Sequence, residues 1–310
     1  MTAVAQAAAP VPAVDPVEAK ARRRRRKAPL GFYCAVGFLV LLVFLAVFAD
    51  YLGFIRSPLQ KVPGGARYKI GPGWTAWWGT DGLSRDVFAR CIYGSRTTLQ
   101  VGIYSTIFGI TVGGLLGVLA GYFRGAVDRV VSVIIDCLLA LPGLLLAIIL
   151  ISRLGAVKES TTWLNWLDRK WQIVLTLGIL ATAPLARIVR AQTMALRERE
   201  FVLAARSLGA KPARVIFREI MPNLIPAILT VAFTGLSILI ASEGALAFLG
   251  LGVEVPTPTW GKLIDENRAK IDIAWWATLF PCFMLFLTVW SFNIIGDRLS
   301  RRFDIRQAGV

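Results

Sequence analysis

The chain of 310 residues contains no histidine, which deprives zinc sites and His-based catalytic triads of their commonest participant. It also has no GxxxxGK[ST] stretch, so it is not expected to bind and split ATP through a P-loop. Its four cysteines, Cys34, Cys91, Cys137 and Cys282, show no CxxC spacing and read as small apolar filler rather than as metal or redox groups. Charge is scarce as well, at 17% of residues, and it is crowded into short blocks between long apolar runs. With 56% apolar residues, that pattern is the signature of a polytopic membrane protein. The net charge of +16 does not indicate nucleic acid, because the basic residues flank apolar runs and no soluble domain is present to hold a groove.

A spanning helix needs about 20 mainly apolar residues. Six segments meet or approach that, near 30–52, 97–122, 130–152, 171–187, 224–249 and 273–296, and predict an all-α membrane domain over 30–306. The first three read clearly. The fourth, "WQIVLTLGILATAPLA", is short before Arg187 and must tilt, extend through its flanks or lie partly at the interface. The first run, preceded by a 29-residue head without a cleavage-site pattern, reads as a retained helix and not as a signal peptide.

Residues 1–29 read as a disordered basic cytoplasmic tail, and 307–310 as a short C-terminal tail. "KARRRRRK", Lys20 to Lys27, precedes the first span and by the positive-inside rule sets the N-terminus in the cytoplasm. Six crossings return the C-terminus to the same side. The stretch 53–96 is then an outer loop with a short helix from Leu83 to Tyr93 and interfacial Trp74, Trp77 and Trp78. Ser152 to Lys170 is a second outer loop, and 187–222 a cytoplasmic one.

Within that last loop, "EFVLAARSLGAKPARVIFREIMPN", Glu200 to Asn223, is charged and punctuated by Gly and Pro between two very apolar runs. "EFVLAARSL" favours helix, Gly209 suits a left-handed C-cap, and Pro212 fits the first turn of a second helix. Ala204 and Ala205 allow close approach to another surface, with Arg206, Lys211, Arg214 and Arg218 at its rim. The segment reads as a plug for a socket, with a plain helical linker as the bland alternative.

"AARSLGA" followed by "MPN" resembles the EAA loop of permease subunits from ATP-binding-cassette importers. The consensus Glu before the two alanines is Leu203 here, whereas Glu200 in "EFVLAAR" is similar to the form common in the peptide and nickel branch. "WGTDGLSRDVFARCIYGSRTTLQVG", Trp78 to Gly102, "FLGLGVEVPTPTWGKLIDENR", Phe248 to Arg268, and "LFPCFMLFLTVWSFNIIGDRLSRRFDIR", Leu279 to Arg306, are similar to the second permease of dipeptide and oligopeptide importers.

The resemblance implies a type I importer permease in a bacterial-type cell membrane. Its expected partners are a homologous second permease, two ATPase subunits that carry the ATP and Mg, an extracytoplasmic binding protein and a peptide substrate. This chain itself would hold no cofactor and no metal. Glu200, Ala204, Ala205, Arg206, Gly209 and Pro222 are the expected contact with the ATPase.

For the pathway or gate, the candidates are Gly235 and Ser242 in the fifth span, Glu243 beside them, and Trp260 in "GVEVPTPTWG", presented at the outer surface. Small residues also serve plain helix packing. Glu243 either meets a peptide's ammonium or pairs with a polar group across a helix interface. Asp136, near the cytoplasmic end of the third span, reaches interfacial water or an arginine such as Arg124 or Arg129. A permease for nickel complexes, a membrane scaffold and an intramembrane enzyme are the rival readings. The enzyme is disfavoured because Asp136 and Glu243 fall in opposite leaflets.

Overall fold

The computed structural model describes residues 30–63, 70–160 and 166–307. The basic head and the last three residues lie outside them. The described residues are helical, and in place of any sheet two isolated bridges, Lys61 to Arg85 and Thr80 to Asp86, pin the loop before the second helix.

The elements are α1 (Leu30–Phe48), α2 (Val87–Phe123), α3 (Gly125–Ala140), α4 (Gly143–Ser160), α5 (Arg169–Arg197), α6 (Glu200–Ser207), α7 (Pro212–Phe248), α8 (Trp260–Asn267) and α9 (Trp275–Gln307). Five of them, α1, α2, α5, α7 and α9, are long and apolar enough to cross a membrane, and α3 with α4 makes a sixth if the pair counts as one span. One end of the bundle carries α6 and a set of arginines and is called here the basic end. The other carries 49–63, 70–86 and 249–274 and is called the tryptophan end.

α2 and α5 form the spine. Asp86 starts α2 as N-cap, its carboxylate accepting from the backbone N–H groups of Phe88 at 2.9 Å and Ala89 at 3.3 Å. Burial raises this carboxyl above its ordinary value, against the pull of those two bonds. Gly109, Gly113, Gly117 and Gly121 recur every fourth residue and so share one face. A Cβ on each would lie 2.6–2.8 Å from atoms of α5: Ala181 Cβ, the Thr182 carbonyl, the Ala186 carbonyl and Thr193 Cβ. Glycine here allows backbone-to-backbone contact, which in lipid replaces the missing hydrophobic driving force with dispersion.

Several expectations change at element boundaries. The short helix expected over Leu83–Tyr93 is the start of α2, which runs unbroken to Phe123. The third span is not continuous: α3 and α4 meet at a 98° bend, because Leu141, immediately before Pro142, is extended (φ −88°, ψ 136°) as pre-proline sterics favour. Of the options open to the fourth span, the structure takes extension through both flanks, from Arg169 to Arg197. Its arginines are matched by α3, with Arg187 2.7 Å from Asp136 and Arg190 2.8 Å from Asp128. Asp136 thus finds an arginine, but from α5 and not Arg124 or Arg129. The second outer loop shrinks, since α4 extends to Ser160. Among the tryptophans, Trp74 and Trp77 are exposed, whereas Trp78 is half-buried and stacks on Phe280 at 4.6 Å against the core.

Gly117→Ala places a methyl 2.7 Å from the Ala186 carbonyl, while Gly114→Ala meets nothing within 4 Å. The first should cost about 1–3 kcal/mol by overpacking, and the second should be neutral or stabilising by up to about 1 kcal/mol through helix propensity. Thermal unfolding of the detergent-purified protein checks the contrast.

Candidate functional site

At the basic end, α6 hangs from the bundle by one buried side chain, Val202. It packs into a cluster with Val118 and Tyr122 of α2, Val189 of α5, and Val215, Ile216, Ile220 and Leu224 of α7. The rest of the segment points outward. Glu200, Ala204, Arg206, Gly209 and Pro222 are exposed and Ala205 is partly so, and Phe201, Leu203, Leu208 and Phe217 add exposed apolar surface, Leu208 at 89%.

The turn after α6 is locally determined. The Ala210 N–H donates to the Ala205 carbonyl at 3.1 Å and the Gly209 N–H to the Arg206 carbonyl at 3.0 Å, the paired bonds of a Schellman stop. Gly209 takes φ +78°, which costs glycine nothing and other L-residues about 1–2 kcal/mol. Pro212 then opens the next helix. That helix is not a separate short one: it passes through a wide turn at Val215–Ile220 and merges with the fifth span. In the wide turn the Met221 N–H bonds back to the Ile216 carbonyl, just ahead of Pro222, which has no N–H to give.

Midway along the bundle a chamber of about 490 Å³ opens among α2, α4, α5 and α7. Gly235 and Ser242 line it, with Thr106, Ala147, Leu177 and Ile238 among the others, and no ionisable side chain takes part. The hydroxyls are already engaged: Ser242 donates to the Ile238 carbonyl and Thr106 to the Gly102 carbonyl, both at 2.8 Å.

The other two pathway candidates lie elsewhere. Glu243 does not line the chamber. It is fully buried, on the side of α7 where Ile240 abuts Gly102 of α2 and Gly244 abuts Gly261 of α8. Neither carboxylate oxygen has a hydrogen-bonding partner among the described residues, and the Thr259 side chain is the polar group beside it. Trp260 is not presented at the surface; it is wholly buried. Its indole N–H donates to the Cys91 carbonyl at 2.9 Å and its backbone N–H to Thr98 Oγ1 at 3.2 Å. A large apolar ring with one donor is stable inside once that donor is satisfied, and here it rivets α8 to α2.

Sequence reasoning also missed a four-membered ion cluster at the tryptophan end. Asp81 Oδ2 lies 2.6 Å from Arg90 and 2.8 Å from Arg85, and Glu266 Oε2 lies 2.9 Å from Arg90 and 3.3 Å from Arg85. Asp81 Oδ1 also accepts from the backbone N–H groups of Leu83 and Arg85, both at 2.8 Å. The cluster ties the pre-α2 loop to α8. The signal was present as charges in "TDGLSRDVFAR" directly ahead of an apolar run, although nothing local names Glu266 as the fourth member.

Residues 113–308 match the family described as "Binding-protein-dependent transport system inner membrane component". The dipeptide transport system permease protein DppC of Alkalihalophilus pseudofirmus is 33% identical over 285 residues, covering 92% of this chain and 88% of that protein. The glutathione transport system permease protein GsiD of Pectobacterium atrosepticum is 34% identical over 267 residues, covering 86% and 84%. The fold is similar to that of a chain in inward-facing structures of the MetNI methionine ABC transporter, with a TM-score of 0.56 at 21% identity, over 69% of this chain and 96% of that one.

Arg90 is only 1% exposed, so neutralising its main partner leaves a buried cation undercompensated. Asp81→Asn, which keeps the Oδ1 acceptor, should destabilise the fold by about 3–5 kcal/mol. Tryptophan-fluorescence melting of the purified protein reads that loss.

Proposed function

Since the chain belongs to the family of binding-protein-dependent transport system inner membrane components, we propose that it forms half of the translocation pathway of an ATP-driven importer of di- or oligopeptides. The similarity to dipeptide and glutathione permeases supports peptides over nickel complexes as cargo. In this reading the basic end is cytoplasmic, with both termini on that side, and the chain sits in a bacterial-type cell membrane. A homologous permease completes the pathway, two ATPase subunits bind ATP and Mg, and an external binding protein delivers the peptide.

The observation that carries the reading is α6: a short helix displayed outside the bundle, with Phe201 and Leu203 exposed between Glu200 and Arg206, and Val202 buried in a cluster that three spans share. Displacing α6 levers on α2, α5 and α7, three of the four helices around the chamber. Closure of an ATPase dimer on α6 would then favour one arrangement of those helices, and nucleotide release the other. Coupling of this kind needs only that each nucleotide state prefer one conformation of the bundle.

ATP hydrolysis by the complex reconstituted in lipid with its binding protein should rise with dipeptides or longer peptides and not with chelated nickel. Stimulation by nickel alone would replace the peptide reading. Gly209→Val should abolish peptide-stimulated hydrolysis while leaving the bundle's melting temperature close to wild type. Nothing lies within 4 Å of the added Cβ, so only the turn is strained. Gly209→Asn, better tolerated at positive φ, should retain most of the stimulation.

A further inference from the structure

A second cavity, of about 580 Å³, opens at the tryptophan end between the start of α2, the end of α4, the start of α5 and the 253–258 loop. Its volume falls in the range of small-molecule sites, and unlike the chamber it is polar. Arg96, Lys158, Arg169 and Lys170 line it with only Asp168 and Glu254 as counter-charges.

The cations are not equivalent. Arg96 is used by α1, bonding the carbonyls of Ala46 and Val47 and lying 2.8 Å from Asp50. Asp50 also accepts from the Tyr93 hydroxyl at 2.7 Å, and these two donors hold its carboxyl below the usual range. Arg169 and Lys158 make loose pairs, each at 3.5 Å, with Glu254 and Asp168, both carboxylates being 74% exposed. Lys170 is left over. Its ammonium lies 3.4 Å from Gln100 Oε1 and 5.2 Å from the Trp171 ring centroid, and among the described residues no carboxylate pairs with it.

The cavity also stands in register with the chamber. The same helices serve both at different heights: Gln100 then Thr106 on α2, Lys170 then Leu177 on α5, Lys158 then Ala147 on α4. Between them Val101, Ile151, Ile173 and Val174 form a buried apolar layer. The polar cavity is therefore an antechamber, closed beneath by a seal and holding an uncompensated cation.

We propose that this antechamber binds the free carboxylate of the arriving peptide, with Lys170 as its principal contact and Arg169 and Lys158 in support. The inference rests on the peptide-importer reading. The carboxylate completes the one unpaired ammonium, and Gln100 and the Trp171 face hold that ammonium in place until it arrives. An acidic side chain of the binding protein offers the same chemistry, but a concave cavity aligned with the chamber suits the cargo better than a docking surface.

The test uses the full complex in proteoliposomes with its binding protein, and as probes a dipeptide and its C-terminal amide, the amide first shown to bind to that protein. Lys170→Gln should lower kcat/KM for uptake of the free-acid peptide about tenfold, the scale of one charge-assisted hydrogen bond, and change that of the amide less than twofold. Lys170→Arg should restore most of the loss. Equal loss for both peptides, with more binding protein needed for half-maximal stimulation, would assign the site to the binding protein and overturn the proposal. No loss for either peptide would overturn it too. If no peptide stimulates even the wild-type complex, the importer reading fails, and that result is distinct from every outcome for the variants.

Discussion

The backbone contact of α2 with α5 is the constraint on which the remaining arrangement depends. Four glycines at four-residue spacing let the helices meet with almost no side chain between them, so their mutual position has little slack. Because α5 is fixed along α2, its last turns are carried past Arg187, and Arg190 can reach Asp128 on α3. That extension sets α6 beside Tyr122, at the foot of α2, where Val202 finds its cluster. Upward, the same pair fixes two walls of both cavities.

The two ends of the bundle are held by different physics. At the basic end a small apolar cluster anchors α6, while the Arg187–Asp136 pair alongside it is largely exposed and contributes little. At the tryptophan end the fixing is polar and buried: the Asp81, Arg85, Arg90 and Glu266 cluster and the Trp260 indole bond tie α8 to α2. A buried charged network tolerates few geometries, since each lost contact leaves a charge without compensation. An apolar patch around one valine tolerates sliding. The bundle is thus held rigidly at the tryptophan end and more loosely at the basic end, the difference a lever needs in the importer we propose.

What the sequence disclosed follows the range of the forces involved. The helices of this importer permease fold were legible because apolar runs of bilayer length admit few alternatives, and the stop at Gly209 was legible because Gly209 and Pro212 mark it locally. The bend at Pro142 was not, since the apolar residues on either side sustain the average hydropathy across the break. The end of α5 stayed open in the sequence because Arg187 and Arg190 interrupt the apolar run, and α3 supplies the carboxylates that pair with them as the helix continues. Trp260 was expected outside because a Pro-rich loop usually is, whereas its partners, the Cys91 carbonyl and Thr98, come from more than 160 positions away. Glycines 109, 113, 117 and 121 stood in plain sight as a small-residue ridge, but their partner surface on α5 has no equally regular pattern.

The hydroxyls of the chamber have a consequence for selectivity. Ser242 and Thr106 donate their protons to carbonyls of their own helices, and no charge faces the space, so the walls offer a solute apolar contact without a fixed set of free donors. Apolar contact is non-directional and roughly proportional to the area covered, so such a lining ranks solutes by size and apolar surface and not by the pattern of their polar groups. In the importer we propose, breadth of cargo is then a property of the lining itself.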